Sequence, residues 1–230
     1  MKGALAVFAK TQGLSPLKTR LAKGIGTSNA QTFYSYSVNA VTAVMHEVQK
    51  QSEHDLTPHW ALAEEAATNL QQWQSFNTLW TGEGGLGERM HHVYQSLRNE
   101  FDYVILIGTD SPQINLSLIN TAIEKLNQNP ESCIFGPCKD GGFYLLAAQI
   151  KIPQQVWTQV TYSNENTLSE FVNKLAVHNI KTELLKPMQD VDTLDDMRAL
   201  FKTLGRQHKS LLPAQKMLIT WLKEYFKSKV

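Results

Sequence analysis

Five consecutive apolar residues, Tyr103-Val104-Ile105-Leu106-Ile107, run straight into Gly108-Thr109-Asp110-Ser111-Pro112. A run without polar alternation fits a strand covered on both faces, the setting of a parallel sheet with helices above and below it. Such a strand needs companions and crossover helices. An apolar run at 4–8 reads as an opening strand, and weaker strands are predicted at 60–63, 76–80, 133–135, 143–146 and 182–185. Apolar residues at helical spacing predict helices at 30–44, 90–97, 115–126, 164–178, 194–204 and 212–227. Strands alternating with helices, with no Pro/Gly/Ser linker and no repeat, predict a single-domain α/β fold with a mostly parallel, Rossmann-like sheet. The domain is assigned to residues 1–205, and 206–230 to a basic amphipathic helix packed on it.

Hydrophobic residues make up 42% of the 230, enough for a core without disulfide staples. The formal net charge of +1 gives no field that would draw the molecule onto nucleic acid. Six of the Lys/Arg residues fall in 206–230 against the single acid Glu224. That tail carries Met217, Leu218, Trp221, Leu222, Tyr225 and Phe226 at helical spacing among Lys216, Lys223, Lys227 and Lys229, and is expected to pack on the domain or in a homodimer rather than on a membrane. Cys133 and Cys138 form no CxxC or zinc pattern and read as buried thiols of a reducing cytosol. No stretch reaches the roughly 18 apolar residues of a membrane span, so a cytoplasmic protein is expected.

In open α/β sheets, ligands collect beyond the carboxyl ends of the strands where the strand order reverses. Four loops qualify. The first, Lys10-Thr11-Gln12-Gly13-Leu14-Ser15-Pro16-Leu17-Lys18-Thr19-Arg20, gathers three cations before a helix, suiting a di- or triphosphate or merely a solvated loop. It is not a GxxxxGK[ST] loop. In the second, Asp110 ends the apolar strand, where a carboxylate suits Mg²⁺ or caps the next helix. The third, Asp190-Val191-Asp192-Thr193-Leu194-Asp195-Asp196, places two acids at i and i+2 that could share a cation, and one of its acids is expected as a helix N-cap. The fourth, Lys139-Asp140-Gly141-Gly142, is a hairpin turn or a backbone approach to a ligand, with Asp140 able to meet a hydroxyl.

Gly82-Glu83-Gly84-Gly85-Leu86-Gly87 matches GxGxxG and raises the alternative of an NAD-dependent oxidoreductase. Its preceding strand is poor, and three elements come before it, whereas a dinucleotide fingerprint belongs in the first strand–helix turn. No HExxH or GxSxG pattern is present.

In order, Ala9-Lys10 … Pro16-Leu17-Lys18-Thr19-Arg20-Leu21, Leu86-Gly87-Glu88-Arg89-Met90, Gly108-Thr109-Asp110-Ser111-Pro112, Gly136-Pro137 … Asp140-Gly141-Gly142 and Asp190-Val191-Asp192-Thr193 resemble a bacterial GT-A-like transferase family. It is known as glycosyltransferase or radical-SAM/selenodomain-associated transferase, and is distantly similar to the guanylyltransferases for phospholactate and the molybdenum cofactor. The resemblance covers about residues 3–200. It implies the GT-A type of nucleotide-diphospho-sugar transferase fold and a Mg²⁺ (or Mn²⁺) ion on Asp110 and Asp192. It also implies phosphate contacts from Lys10, Lys18 and Arg20 beside Ala9, and a nucleotide or acceptor pocket lined by Gly87, Glu88 and Arg89, with Asp140 and Gly141 near the acceptor. Gln12, Ser15 and Leu194 depart from the family's usual Pro, Gly and Pro.

The resemblance thus implies a metal-dependent transferase acting on a nucleotide or nucleotide sugar and a small-molecule acceptor, with nucleotidyl transfer favoured and glycosyl transfer as the alternative. Lys18 and Arg20 would stabilise the departing pyrophosphate, and Asp140 would serve as base for a hydroxyl acceptor. A nucleotide-binding module without catalysis is the remaining rival.

Overall fold

The computed structural model describes residues 1–50 and 54–228; Lys229 and Val230 of the tail lie outside the described residues. Among the described residues, seven strands form one sheet: β1 (Lys2–Ala9), β2 (Asp55–Leu62), β3 (Asn77–Trp80), β4 (Tyr103–Gly108), β5 (Ser132–Pro137), β6 (Phe143–Ala148) and β7 (Lys181–Leu184). Their order is β3-β2-β1-β4-β6-β5-β7. Every pairing is parallel except those of β6, which runs antiparallel to β4 and β5. The short turn after β5 leaves no room for a crossover, so β6 must reverse direction.

The described residues form eight α-helices: α1 (Thr19–Ile25), α2 (Thr27–Lys50), α3 (Leu86–Arg98), α4 (Leu116–Gln128), α5 (Gln154–Thr158), α6 (Thr167–Val177), α7 (Leu194–Arg206) and α8 (Pro213–Lys227). α1 and α5 escape sequence reading because seven and five residues are too few to show a period. Alternation along β1 sends Leu5 and Val7 to one face, with residues of α2 and α4, and Ala4 and Ala6 to the other, with Met90, Tyr94, Trp157 and Phe171.

A third cluster lies away from the sheet. Leu218, Leu222 and Tyr225 of α8 are buried with Phe33 of α2 and Leu200 of α7. Gln215, only 2% exposed, donates from Nε2 to the carbonyls of Pro112 and Ile114 at 2.9 and 3.0 Å. The C-terminal helix therefore buttresses the segment that follows Asp110.

Candidate active site

The chain lays down β1, β2 and β3 to one side and then crosses to β4 on the other side of β1. A crevice opens where the order reverses, between the carboxyl ends of β1 and β4. A cleft of about 630 Å³ lies there. Its wall includes Ala9, Lys10, Lys18, Arg20, Arg89, Asp110, Asp140, Asp190 and Asp192.

The first loop is pinned before it reaches the cations. Tyr34 of α2 accepts from the Lys10 N–H at 2.8 Å and donates to the Lys10 carbonyl at 2.7 Å. Burial pushes the Tyr34 phenol up to about 12, keeping it a donor. Glu64 Oε2 accepts from the Thr11 N–H at 3.0 Å, and Trp73 Nε1 donates to Thr11 Oγ1 at 3.1 Å. Lys18 then adopts a left-handed backbone (φ 45°) immediately before α1. A long side chain holds that conformation only where the surroundings impose it.

The imposition is visible at the other end of the side chain. Lys18 Nζ sits 2.8 Å from Asp110 Oδ1, 3.3 Å from Asp192 Oδ1 and 2.6 Å from the Val191 carbonyl, with its side chain 4% exposed. Burial by itself would lower the Lys18 pKa, but the Asp110 and Asp192 carboxylates outweigh it and hold the ammonium above its ordinary value. Arg20 reaches Asp192 Oδ2 at 3.4 Å from a largely exposed position. The Val191 N–H donates to the Asp110 carbonyl at 3.2 Å, tying the two acidic loops together.

Neither acid is a helix cap. Asn115 caps α4, accepting from the Leu118 N–H at 3.0 Å. Thr193 caps α7 in a reciprocal box with Asp196, so the expected acidic N-cap is replaced by the threonine beside it. Asp190 is the most perturbed of the acids. Burial first, then the carboxylates of Asp140, Asp192 and Asp110, push it up to about 6. Asp140 holds its turn by accepting from the Gly142 N–H at 3.0 Å.

Cys138, Asp140 and Asp190 bring one donor atom each within 4.8 Å of one another. Burial and the Asp190 and Asp140 charges keep the Cys138 thiol protonated. Burial pushes Cys133 up to about 12, and both cysteines are free.

Of the three α3 residues expected at the pocket, the helix brings Arg89 to the cleft wall but not Gly87 or Glu88. Leu86, Arg89 and Met90 share the face that meets the cleft, whereas Gly87 and Glu88 turn away from it. Gly87 is buried against α5, where an added Cβ would stand 2.2 Å from the Trp157 carbonyl oxygen, and Glu88 is exposed. Gly141, at φ 91°, packs under the backbone of Glu165 rather than on the wall. Arg89 is itself committed, donating to the Ala63 carbonyl, Thr81 Oγ1 and the Gly84 carbonyl at 3.0, 2.9 and 3.0 Å. The GxGxxG match thus follows the edge strand β3 and is closed by Arg89. Sequence reading missed Tyr34, whose position suits a core face, and the Tyr162–Asn164 stretch, which carries no motif.

The fold is the one adopted by nucleotide-diphospho-sugar transferases. A solved structure from Desulfovibrio desulfuricans G20, described as a candidate nucleotide-diphospho-sugar transferase, is 21% identical, with a TM-score of 0.83 over 99% of this chain and 98% of that one. The 4-diphosphocytidyl-2C-methyl-D-erythritol synthase of Anaerococcus prevotii is 12% identical, with a TM-score of 0.51 over 85% of this chain and 94% of that one. Glucosyl-3-phosphoglycerate synthase of Mycobacterium tuberculosis, solved with Mn²⁺, UDP and phosphoglyceric acid, is 8% identical, with a TM-score of 0.51 over 89% and 78%. At these identities the likeness establishes the fold. Residues 43–164 match the family described as "Uncharacterized protein conserved in bacteria (DUF2064)", and the chain belongs to that family. No curated protein matches it. Among the described residues, no helix is long and apolar enough to cross a membrane.

Proposed function

We propose that this protein is a Mg²⁺- or Mn²⁺-dependent transferase that takes a nucleoside triphosphate and passes its nucleotidyl group to a small acceptor. The observation that carries this reading is Lys18, a buried ammonium held between Asp110 and Asp192 at the switch point of the sheet. A cation fits the acids around it. Four carboxylates gather around Lys18 and the exposed Arg20, and burial first, then the neighbouring carboxylates, raise the Asp190 pKa against the pull of Lys18. Carboxylate oxygens suit a hard divalent ion, which the protonated Cys138 thiol does not. Lys18 and Arg20 already occupy both oxygens of Asp192, so Asp110 and Asp190 are the better pair to hold the ion. A divalent ion there would neutralise charge on phosphate oxygens.

The remaining work falls to side chains. Lys10 and Arg20 draw the phosphates to the β1 side of the cleft. Lys18 keeps the two acidic loops together and presents positive charge beneath the departing group. An acceptor hydroxyl attacks the α-phosphorus, the new P–O bond forms as the bond to pyrophosphate breaks, and the hydroxyl proton passes to the Asp140 carboxylate. Glycosyl transfer would use the same cleft with a nucleoside diphosphate leaving, as the UDP and Mn²⁺ of the mycobacterial synthase illustrate for that enzyme.

The test is thermal denaturation with nucleoside triphosphates, nucleotide sugars and NAD(H), each with and without Mg²⁺ or Mn²⁺. A ligand at 100 times its Kd adds about 2.7 kcal/mol. Metal-dependent stabilisation by a triphosphate, with pyrophosphate released on turnover, supports the proposal. Stabilisation by a nucleotide sugar alone would replace it with glycosyl transfer, and by NADH alone with an oxidoreductase.

A further inference from the structure

The walls of the cleft divide by charge. Lys10, Lys18 and Arg20 come from the loop and helix that follow β1, and Arg89 from α3, beside β2 and β3. Beyond β4, among the described residues, the wall contains no lysine or arginine; its charged groups there are Asp140, Asp190 and Asp192. Lys139, next to Asp140, is exposed and takes no part in the wall.

The uncharged part of that half is equally specific. Tyr162 commits its hydroxyl to the Trp157 carbonyl at 2.8 Å and Tyr144 to the Lys186 carbonyl at 2.9 Å. The partly exposed Tyr162 and Phe143 rings are therefore offered as apolar surface, while the Tyr144 ring meets the wall from a buried position. Next to Tyr162 in the chain, Ser163 has a left-handed backbone (φ 63°), is exposed, lines the cleft, and has no hydrogen-bond partner among the described residues. Asn164 fixes the loop by donating to the Thr161 carbonyl at 2.8 Å and accepting from the Asn166 N–H at 2.7 Å. Of the three non-glycine residues with positive φ among the described residues, Lys18 and Ser163 both line this cleft, one on each side. Strain of this kind gathers at ligand-contacting positions.

Building on the transferase reading above, we propose that the half of the cleft formed by Asp140, Phe143, Tyr144, Tyr162, Ser163 and Asn164 is an acceptor subsite for an uncharged, hydroxyl-bearing compound, such as a sugar or polyol. It discriminates against acceptors that carry phosphate or carboxylate. Among the described residues, the segments beyond β4 contribute no lysine or arginine to the wall, and Lys18 and Arg20 reach that side only to pair with Asp192, so an anionic acceptor would meet Asp140 directly. Aromatic rings suit the C–H faces of a sugar, and the Ser163 hydroxyl and open Asp140 oxygen suit its hydroxyls.

The test presents the full-length protein with Mn²⁺ and the triphosphate that binds, then adds acceptors in pairs that differ by one phosphate: glycerol and glycerol 3-phosphate, glucose and glucose 6-phosphate, ribose and ribose 5-phosphate. Product formation by mass spectrometry and acceptor affinity by calorimetry are read for each. The neutral member of a pair should be preferred by at least about tenfold, since like charges set against each other in an interface are strongly unfavourable. Asp140→Asn should shrink that preference severalfold. Equal or tighter use of the phosphorylated members, or a preference untouched in Asp140→Asn, overturns the subsite while leaving nucleotide binding in place. Failure of every triphosphate to bind would instead remove the transferase reading, and this inference with it.

Discussion

Lys18 Nζ lies 2.8 Å from Asp110 Oδ1, joining the loop after the first strand to the tip of the central strand through an ammonium that is almost wholly buried. The contact makes Lys18 part of the frame that holds the two acidic loops together. Replacing it leaves Asp110, Asp190 and Asp192 crowded without their counter-charge.

Lys18→Met is therefore expected to destabilise the metal-free protein by about 1.5–3 kcal/mol, the range for hydrogen bonds to charged groups. The lower end is favoured because Asp110 is half exposed and water can take over part of its solvation. Added Mn²⁺ should recover more stability in the variant than in the wild type, since the ammonium no longer competes for the acids. Thermal unfolding across a Mn²⁺ titration reads both effects. A variant as stable as the wild type and indifferent to Mn²⁺ would remove Lys18 from the frame.

Asp110→Asn is expected to keep the fold, because asparagine can still accept from Lys18, and to lose metal-dependent stabilisation by nucleotides. Calorimetry with a triphosphate and Mg²⁺ checks this. Undiminished metal dependence would assign the ion to other acids.

Legibility in the chain differs from residue to residue. The run from Tyr103 to Ile107 placed Asp110 at a strand tip, because continuous apolarity needs only local sequence. The phase of α3 was also legible in part: Leu86, Arg89 and Met90 at i, i+3 and i+4 share a face, and Glu88 falls on the opposite one. Lys18 was not. Its partners lie far along the chain, the Val191 carbonyl 173 positions away, and nothing local marks a lysine that will be buried. Gln215 was invisible for the same reason, since its partners are carbonyls 103 and 101 positions earlier.

Gln215 supplies the next expectation. Gln215→Leu fits the buried space but strands two carbonyls, and should cost about 1–3 kcal/mol per group left without a partner. Hydrogen exchange should rise at 111–114, whereas a purely local effect would stay within α8. Truncation after Arg206 removes Leu218, Leu222 and Tyr225 from their cluster and should leave an aggregating protein, seen by light scattering.

The pH dependence of the metal-free protein turns on Asp190. Its folded pKa is raised to about 6 from 3.8, so the folded state binds its proton first as pH falls. Between those values the folded state carries more protons than the unfolded one, and the group's contribution to stability grows as pH drops through 6 and levels off below 3.8. His59 works in the opposite direction. Burial lowers its pKa from 6.5, so the unfolded state protonates first and stability is lost as pH falls below 6.5. The two must be separated by substitution. Asp190→Asn should be more stable than the wild type at about pH 7.5, with the advantage shrinking steadily towards about pH 4, and saturating Mn²⁺ should remove the advantage by stabilising the wild type alone. Melting temperatures of both proteins across that range, with and without Mn²⁺, decide it. A constant difference between them would mean that Asp190 ionises normally and that its neighbours do not crowd it.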